Sequence, residues 1–186
     1  IYDIASVTKI AASTLSMMRL ETLEEVNLDN QLQDYIPELV EGTRYGSIVI
    51  KNMMAHQAGL SPWIPFYTKT LTAGQLNPAF YSKTKSDSFD TQVAENLWMK
   101  TGYTDKIYED ILAAPLNART YKYSDVGYYF LKKIIEKKTG KSLDEYVEDE
   151  FYKPMGLKYM CYNPLRYFTK EQITPIVVDL PAPFGP

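Results

Sequence analysis

The chain has 186 residues and a formal net charge of -3, with 45% hydrophobic and 23% charged residues, the composition of one ordinary globular domain with a real core. No basic face for nucleic acid follows, because Lys and Arg are scattered apart from the Lys132-Lys133 and Lys137-Lys138 pairs, which read as a solvated helix face. The lone Cys161 excludes an internal disulfide and any zinc or redox spacing; no apolar run approaches the roughly 20 residues of a membrane span, and no basic-then-apolar leader opens the chain.

In chain order, Ser6-Val7-Thr8-Lys9 comes first, at the mouth of an apolar, helix-forming run from Ile10 to Met18. Residues at i and i+3 lie one above the other on a helix, so the Ser6 hydroxyl and the Lys9 amine share a face. A partly desolvated lysine there can lose its proton and take the hydroxyl's, and the helix N-terminus favours negative charge beside Ser6. The competing reading of Ser6 is a helix N-cap or first-turn serine. His56, the single histidine, sits in a helix-to-turn segment ending at Gly59, where a positive φ is expected for leaving the helix. Without a G-x-S-x-G elbow, a Ser-His-Asp hydrolase finds no support.

The stretch from Ser61 to Leu97 carries Pro62, Trp63, Pro65, Gly74 and Pro78 with weak periodicity, and reads as a long insertion over a cleft with one helix near Thr91 to Met99. Trp63, Phe66 and Tyr67 read equally as an aromatic wall of that cleft or as packing. Tyr123-Ser124-Asp125 then precedes an apolar run in which Val126, Phe130, Leu131, Ile134 and Ile135 share a face, with Gly140 placed as a left-handed cap, which predicts a helix over about 126 to 138. Ser142-Leu143-Asp144-Glu145 is a capping box that opens a second helix over about 142 to 152. Lys-Thr-Gly occurs twice, at Lys100-Thr101-Gly102 and Lys138-Thr139-Gly140, the second where a glycine closes a helix. Ile176-Val177-Val178 is a short β-branched run, and Pro181 to Pro186 reads as loop or disorder. Sixteen tyrosines spread along the chain read mostly as half-buried packing residues with wet hydroxyls.

S-x-x-K followed at a distance by a serine motif and K-T-G is the signature of penicillin-binding proteins and class A β-lactamases. Here the second element is Tyr123-Ser124-Asp125, and with tyrosine leading it resembles the Y-x-N element of class C β-lactamases, D-alanyl-D-alanine peptidases and related esterases. Tyr2 to Ala5, Leu28-Asp29 through Tyr35 to Leu39, and Ile50 to Leu60 resemble the same family in order and spacing. The resemblance spans nearly all of residues 1 to 160. It implies a mainly α chain, the helical part of the β-lactamase/transpeptidase-like α/β fold, with little or no sheet of its own. On that view residues 1–186 form a single incomplete domain: the S-x-x-K helix and turn segment (1–60), a loop-rich insertion (61–100), the tyrosine-motif helices (101–160) and a tail (161–186). The family's sheet strands and its third motif are expected outside this stretch, since Lys100 comes before Tyr123 and Lys138 follows too closely.

The resemblance also implies roles. Ser6 is the expected nucleophile, Lys9 the group that eases its deprotonation, and Tyr123 a general acid/base whose phenolate Lys9 stabilises, since an unperturbed tyrosine near pKa 10 is a poor base. Asp125, Ser124 and Trp63 are the expected substrate-binding residues, although Ser124 and Asp125 read equally as caps of the helix after them. Asp125 departs from the family's asparagine: a carboxylate accepts hydrogen bonds but donates none, which disfavours amide donors relative to esters. His56 is structural in the family. No metal or organic cofactor is implied, because acyl transfer needs a serine, a base and an oxyanion site. A small-molecule or peptide substrate, a periplasmic or extracytoplasmic location, and self-association through uncovered apolar faces are expected. Two function classes stay open: an acyl-serine hydrolase, and a non-catalytic relative serving as a binding or structural module.

Overall fold

The computed structural model describes residues 1–174. The Ile176–Val178 run and the proline-rich end lie outside the described residues. Contacts group the chain into two compact units, one formed by Ile1–Asn27 with the chain from Leu131 onward, the other by Leu28–Phe130.

The first unit is helical. The run predicted to follow Lys9 does form a helix, but it opens as a π-helical stretch, Lys9–Thr14, before settling into α1 (Leu15–Thr22). Within that stretch the Tyr152 hydroxyl donates to the Ala11 carbonyl at 3.0 Å. Ala12, Met17, Leu20 and Val26 are buried in this unit, as are Leu131, Ile134, Ile135, Leu143 and Val147. The predicted helices are present as α5 (Val126–Thr139), which crosses the division at Phe130, and α6 (Leu143–Val147), continued by a π-helical turn, Glu148–Tyr152. Gly140 takes the left-handed φ of 67° expected of a cap. The capping box is formed, with the Ser142 amide donating to the Glu145 carboxylate at 3.2 Å. Lys132, Lys137 and Lys138 are exposed, as their pairing along one helix implied.

The second unit combines short helices, α2 (Pro37–Val40), α3 (Ile50–Met54) and α4 (Tyr103–Ala113), with two small antiparallel sheets. Leu32, Ile36, Val40, Ile48, Ile50, Met53 and Ile111 make its core. Tyr45 is buried among them, its hydroxyl 2.6 Å from the Ile111 carbonyl and 2.8 Å from that of Ala114, which caps the end of α4. Burial pushes the Tyr45 phenol up from its usual range. The side of α5 that belongs here begins with Gly127, where an added Cβ would lie 2.7 Å from Met53 Cγ. That glycine lets α3 and α5 approach closely.

The region read as a loop-rich insertion has more order than expected. β1 (Leu71–Thr72) pairs with β2 (Gln75–Leu76), and β3 (Tyr81–Ser82), β4 (Thr91–Ala94) and β5 (Leu97–Met99) form a sheet in the order β3-β5-β4. The predicted helix near Thr91 to Met99 is therefore a β-hairpin. Asn96 adopts φ 51°, a turn conformation asparagine tolerates, and Thr91, Val93 and Trp98 are strand formers. Pairing of β5 with β3, Tyr81 opposite Met99, supplies a ladder that no periodicity within the segment announces. Across the described residues helix still exceeds strand, and the chain has small sheets of its own.

Candidate active site

Ser6 lies in the first helical turn of the first unit. The turn is built from neighbours: the Ala5 amide donates to the Asp3 carboxylate at 2.6 Å, and the Val7, Thr8 and Lys9 amides donate three residues back, to Ile4, Ala5 and Ser6, at 2.9 to 3.0 Å. Ala5 sits in the left-handed region at φ 44°, a conformation that costs an alanine about 1 kcal/mol or more. Backbone strain of this kind clusters at functional sites. The Lys9 Nζ donates to the Ser6 Oγ at 2.9 Å, with Ser6 exposed and Lys9 half-buried. The shared face read from the i, i+3 spacing is thus an actual hydrogen bond. A cation on that oxygen favours an alkoxide over an alcohol.

A cavity of about 500 Å³ runs along the same turn, with Tyr2, Asp3 and Thr8 on one side and Cys161, Tyr162 and Asn163 among its other walls. Burial pushes the Tyr162 phenol up to about 12 and the Cys161 thiol upward as well, so both stay protonated at neutral pH.

Tyr123, Ser124 and Asp125 lie in the second unit, in a turn held from a distance. The Lys122 amide donates to the His56 carbonyl at 2.9 Å, the Ser124 amide to His56 Nδ1 at 3.1 Å, and the Asp125 amide to the Pro62 carbonyl at 2.7 Å. The Ser124 hydroxyl, buried, donates to the Ser61 carbonyl at 2.6 Å and accepts the Val126 amide at 3.1 Å. These bonds fold Ser124 into a side-chain turn just ahead of α5, which begins at Val126. The Tyr123 ring is 44% exposed and lies against His56, with ring centroids 4.5 Å apart. Trp63 is exposed, and Phe66 packs edge-on against Tyr129. Gly59 has the expected positive φ, 74°, and an added Cβ would lie 2.4 Å from the Asn117 carbonyl. The Asn117 amide in turn donates to the Gly59 carbonyl at 2.7 Å. Sequence reasoning did not find Asn117 or the carbonyls of Ser61 and Pro62, and a backbone acceptor leaves no signal in residue type.

The two Lys-Thr-Gly triplets serve local structure. Gly102 is the left-handed residue ahead of α4, and Thr101 donates its hydroxyl to the Asp87 carbonyl at 2.8 Å. The Gly140 amide closes α5 on the Glu136 carbonyl at 2.9 Å. Among the described residues no group of three or more His, Cys, Asp or Glu side chains is placed to hold a metal ion, and no helix is long and apolar enough to cross a membrane.

Known proteins resemble the chain along most of its length. An N-acetylmuramyl-L-alanine amidase of Bacillus subtilis is 32% identical over 175 residues, covering 89% of this chain and 34% of its own. A putative D-alanyl-D-alanine carboxypeptidase of Escherichia coli is 28% identical over 179 residues, covering 93% of this chain and 36% of its own. The chain therefore spans about a third of the length of these curated relatives. Among solved structures, an octameric penicillin-binding protein homologue from Pyrococcus abyssi superposes with a TM-score of 0.60 at 19% identity, covering 90% of this chain and 34% of that one. A beta-lactamase/D-alanine carboxypeptidase from Yersinia pestis superposes with a TM-score of 0.59 at 18% identity, covering 92% and 42%. These structural likenesses establish the fold. The sequence profile of the beta-lactamase family matches residues 1–170, and the chain belongs to that family.

Proposed function

We propose that this chain carries the nucleophile of a serine hydrolase that works through an acyl-enzyme on a D-alanyl peptide, a β-lactam or a small ester. One observation carries the reading: the 2.9 Å hydrogen bond from Lys9 Nζ to Ser6 Oγ, in a turn whose preceding residue has a left-handed backbone. In the proposed reaction Ser6 Oγ attacks the substrate carbonyl carbon, Lys9 eases the loss of its proton, and Tyr123 is the general acid/base that takes that proton. The tetrahedral oxyanion is held by backbone N–H groups, that of Ser6 among them. Tyr123 returns the proton to the departing amine or alcohol, and water then releases the acyl group from Ser6. The names of the relatives, an amidase and a carboxypeptidase, support an acyl donor drawn from cell-wall peptide and an extracytoplasmic place of action.

The test is the intact mass of the chain after exposure to a fluorophosphonate probe, beside Ser6→Ala. Attack by Ser6 on phosphorus expels fluoride and leaves a stable adduct. An adduct present in the wild type and lost in the variant supports the reading, and an unlabelled wild type overturns it for this chain.

Asp125 favours a second reading, a non-catalytic relative that serves as a binding or structural module, because a carboxylate in place of asparagine cannot donate to a substrate carbonyl. Asp125→Asn tests the role of this position. Faster acylation by amide-like donors supports a hydrolase with weakened amide binding, and no change counts against a binding role for this position. Val7, Ile10 and Met18 are exposed apolar residues of the first unit, and we propose self-association through them; light scattering that finds a stable monomer would sink that proposal.

A further inference from the structure

We infer that His56 is the positioning residue of Tyr123, the side chain that fixes where the proposed general acid/base presents its hydroxyl. The inference rests on the hydrolase reading above and concerns the same site. His56 meets the tyrosine turn in three ways. Its carbonyl accepts the amide of Lys122 at 2.9 Å, and its Nδ1 accepts the amide of Ser124 at 3.1 Å. One residue thus grips the backbone immediately before and immediately after Tyr123. Its ring then lies against the Tyr123 ring, centroids 4.5 Å apart and planes 37° from parallel, which limits the torsions left to that side chain.

The imidazole is itself held in place. Tyr121 meets it edge-on at 6.2 Å and Tyr128 lies 5.9 Å away, so three tyrosine rings surround it. Its backbone sits at φ 58°, a conformation that persists in a residue other than glycine only where the surroundings impose it. The Gln57 amide, donating to the Asn52 carbonyl at 2.7 Å, closes that turn behind α3. Because Nδ1 accepts a hydrogen bond from an amide, it carries a lone pair, and the neutral ring has its proton on Nε2. A histidine that served only as packing would need neither this tautomer nor two bonds bracketing one residue. His56 touches no reacting atom in this scheme and acts only through Tyr123, where a displacement of about 1 Å can slow a reaction about 10²-fold.

Two substitutions separate its contributions. His56→Phe keeps an aromatic ring beside Tyr123 but removes the acceptor for Ser124. His56→Asn keeps an acceptor at the position of Nδ1 and tolerates the left-handed backbone, but loses the ring. The expected result is a rate of Ser6 modification by the fluorophosphonate about 10²-fold below wild type for the phenylalanine variant, with about tenfold of that loss recovered by asparagine. Hydrogen exchange at the Ser124 amide is expected to quicken in the phenylalanine variant and to be protected again in the asparagine variant. Equal rates in wild type and both variants, with unchanged Ser124 exchange, overturn the inference. Long-range 15N spectra of the imidazole in the wild-type chain at pH 8 decide the matter without any variant: a protonated Nε2 and bare Nδ1 support it, and a protonated Nδ1 overturns it. A wild-type chain that resists the probe would instead sink the hydrolase reading, and the spectra would still test the hold on the tyrosine turn.

Discussion

The turn that carries Ser6 is held by bonds to residues two and three positions away, whereas the turn that carries Tyr123 is held by Ser61, Pro62 and His56, more than 60 residues distant. The first can keep its Ser6–Lys9 pair as long as one helical turn survives. The second depends on the packing of a whole unit, through α3, Gly59 and the start of α5. The proposed nucleophile is therefore robust and the proposed acid/base is fragile, and variants in the two regions should fail in different ways.

Lys9→Ala is expected to have the largest effect, lowering the rate of Ser6 modification by at least about 10²-fold, the usual contribution of a positioned proton-transfer or charge-stabilising group. Its partner Ser6 is exposed, so the urea midpoint should hardly move. A large loss of stability with this substitution would break the view that the serine turn is a local structure. Gly59→Ala should do the reverse. Its φ of 74° and the 2.4 Å approach to the Asn117 carbonyl make backbone strain and a clash with backbone unavoidable, and a loss of about 3 kcal/mol is expected in urea denaturation. Gly127→Ala is a milder version, because the nearest atom is Met53 Cγ at 2.7 Å on a flexible side chain. About 1 to 2 kcal/mol is expected there. If the two glycine variants cost the same, the cradle around Tyr123 is looser than its hydrogen bonds imply.

The same contrast explains how much could be read from the chain alone. The Ser6–Lys9 pair needed only helical spacing, and the hydrogen bond follows from it. Helix α5, its apolar face and the capping box at Ser142 were legible for the same reason, since each is a pattern within a few residues. Gly59 was legible as a positive-φ residue, but its tight contact with Asn117 was not, because no rule links residues that far apart. The hairpin Thr91–Met99 was misread as a helix for a related reason: its ladder partner, Tyr81–Ser82, lies outside the segment. His56 was legible as a structural histidine through the family resemblance. That it grips both amides beside Tyr123 required the fold.

In the first unit, Tyr162 provides a test by pH. Its folded pKa of about 12 exceeds the ordinary tyrosine value near 10, so the folded state holds that proton more tightly. The associated stability is complete below pH 10 and is lost as pH rises from 10 toward 12. Urea midpoints measured across that window should fall with pH in the wild type and fall less in Tyr162→Phe. An identical slope in both would place the alkaline sensitivity elsewhere, Tyr45 and Tyr152 of the two cores being the next groups raised by burial.

The smallest expected effect is the most informative about the serine turn. Ala5 at φ 44° carries left-handed strain that glycine would not, while glycine adds conformational freedom to the unfolded chain. The first effect is worth about 1 to 2 kcal/mol and the second about 0.5 to 1, so Ala5→Gly is expected to stabilise the chain by about 0.5 to 1 kcal/mol. The Asp3-to-Ala5 bond survives the change because it uses the backbone amide. If the strain serves to hold Ser6 toward Lys9, the more stable variant should also react more slowly with the fluorophosphonate. Stability and reactivity rising together would mean that the left-handed residue is a by-product of the Asp3 turn, and that the 2.9 Å pair needs no strain to hold it.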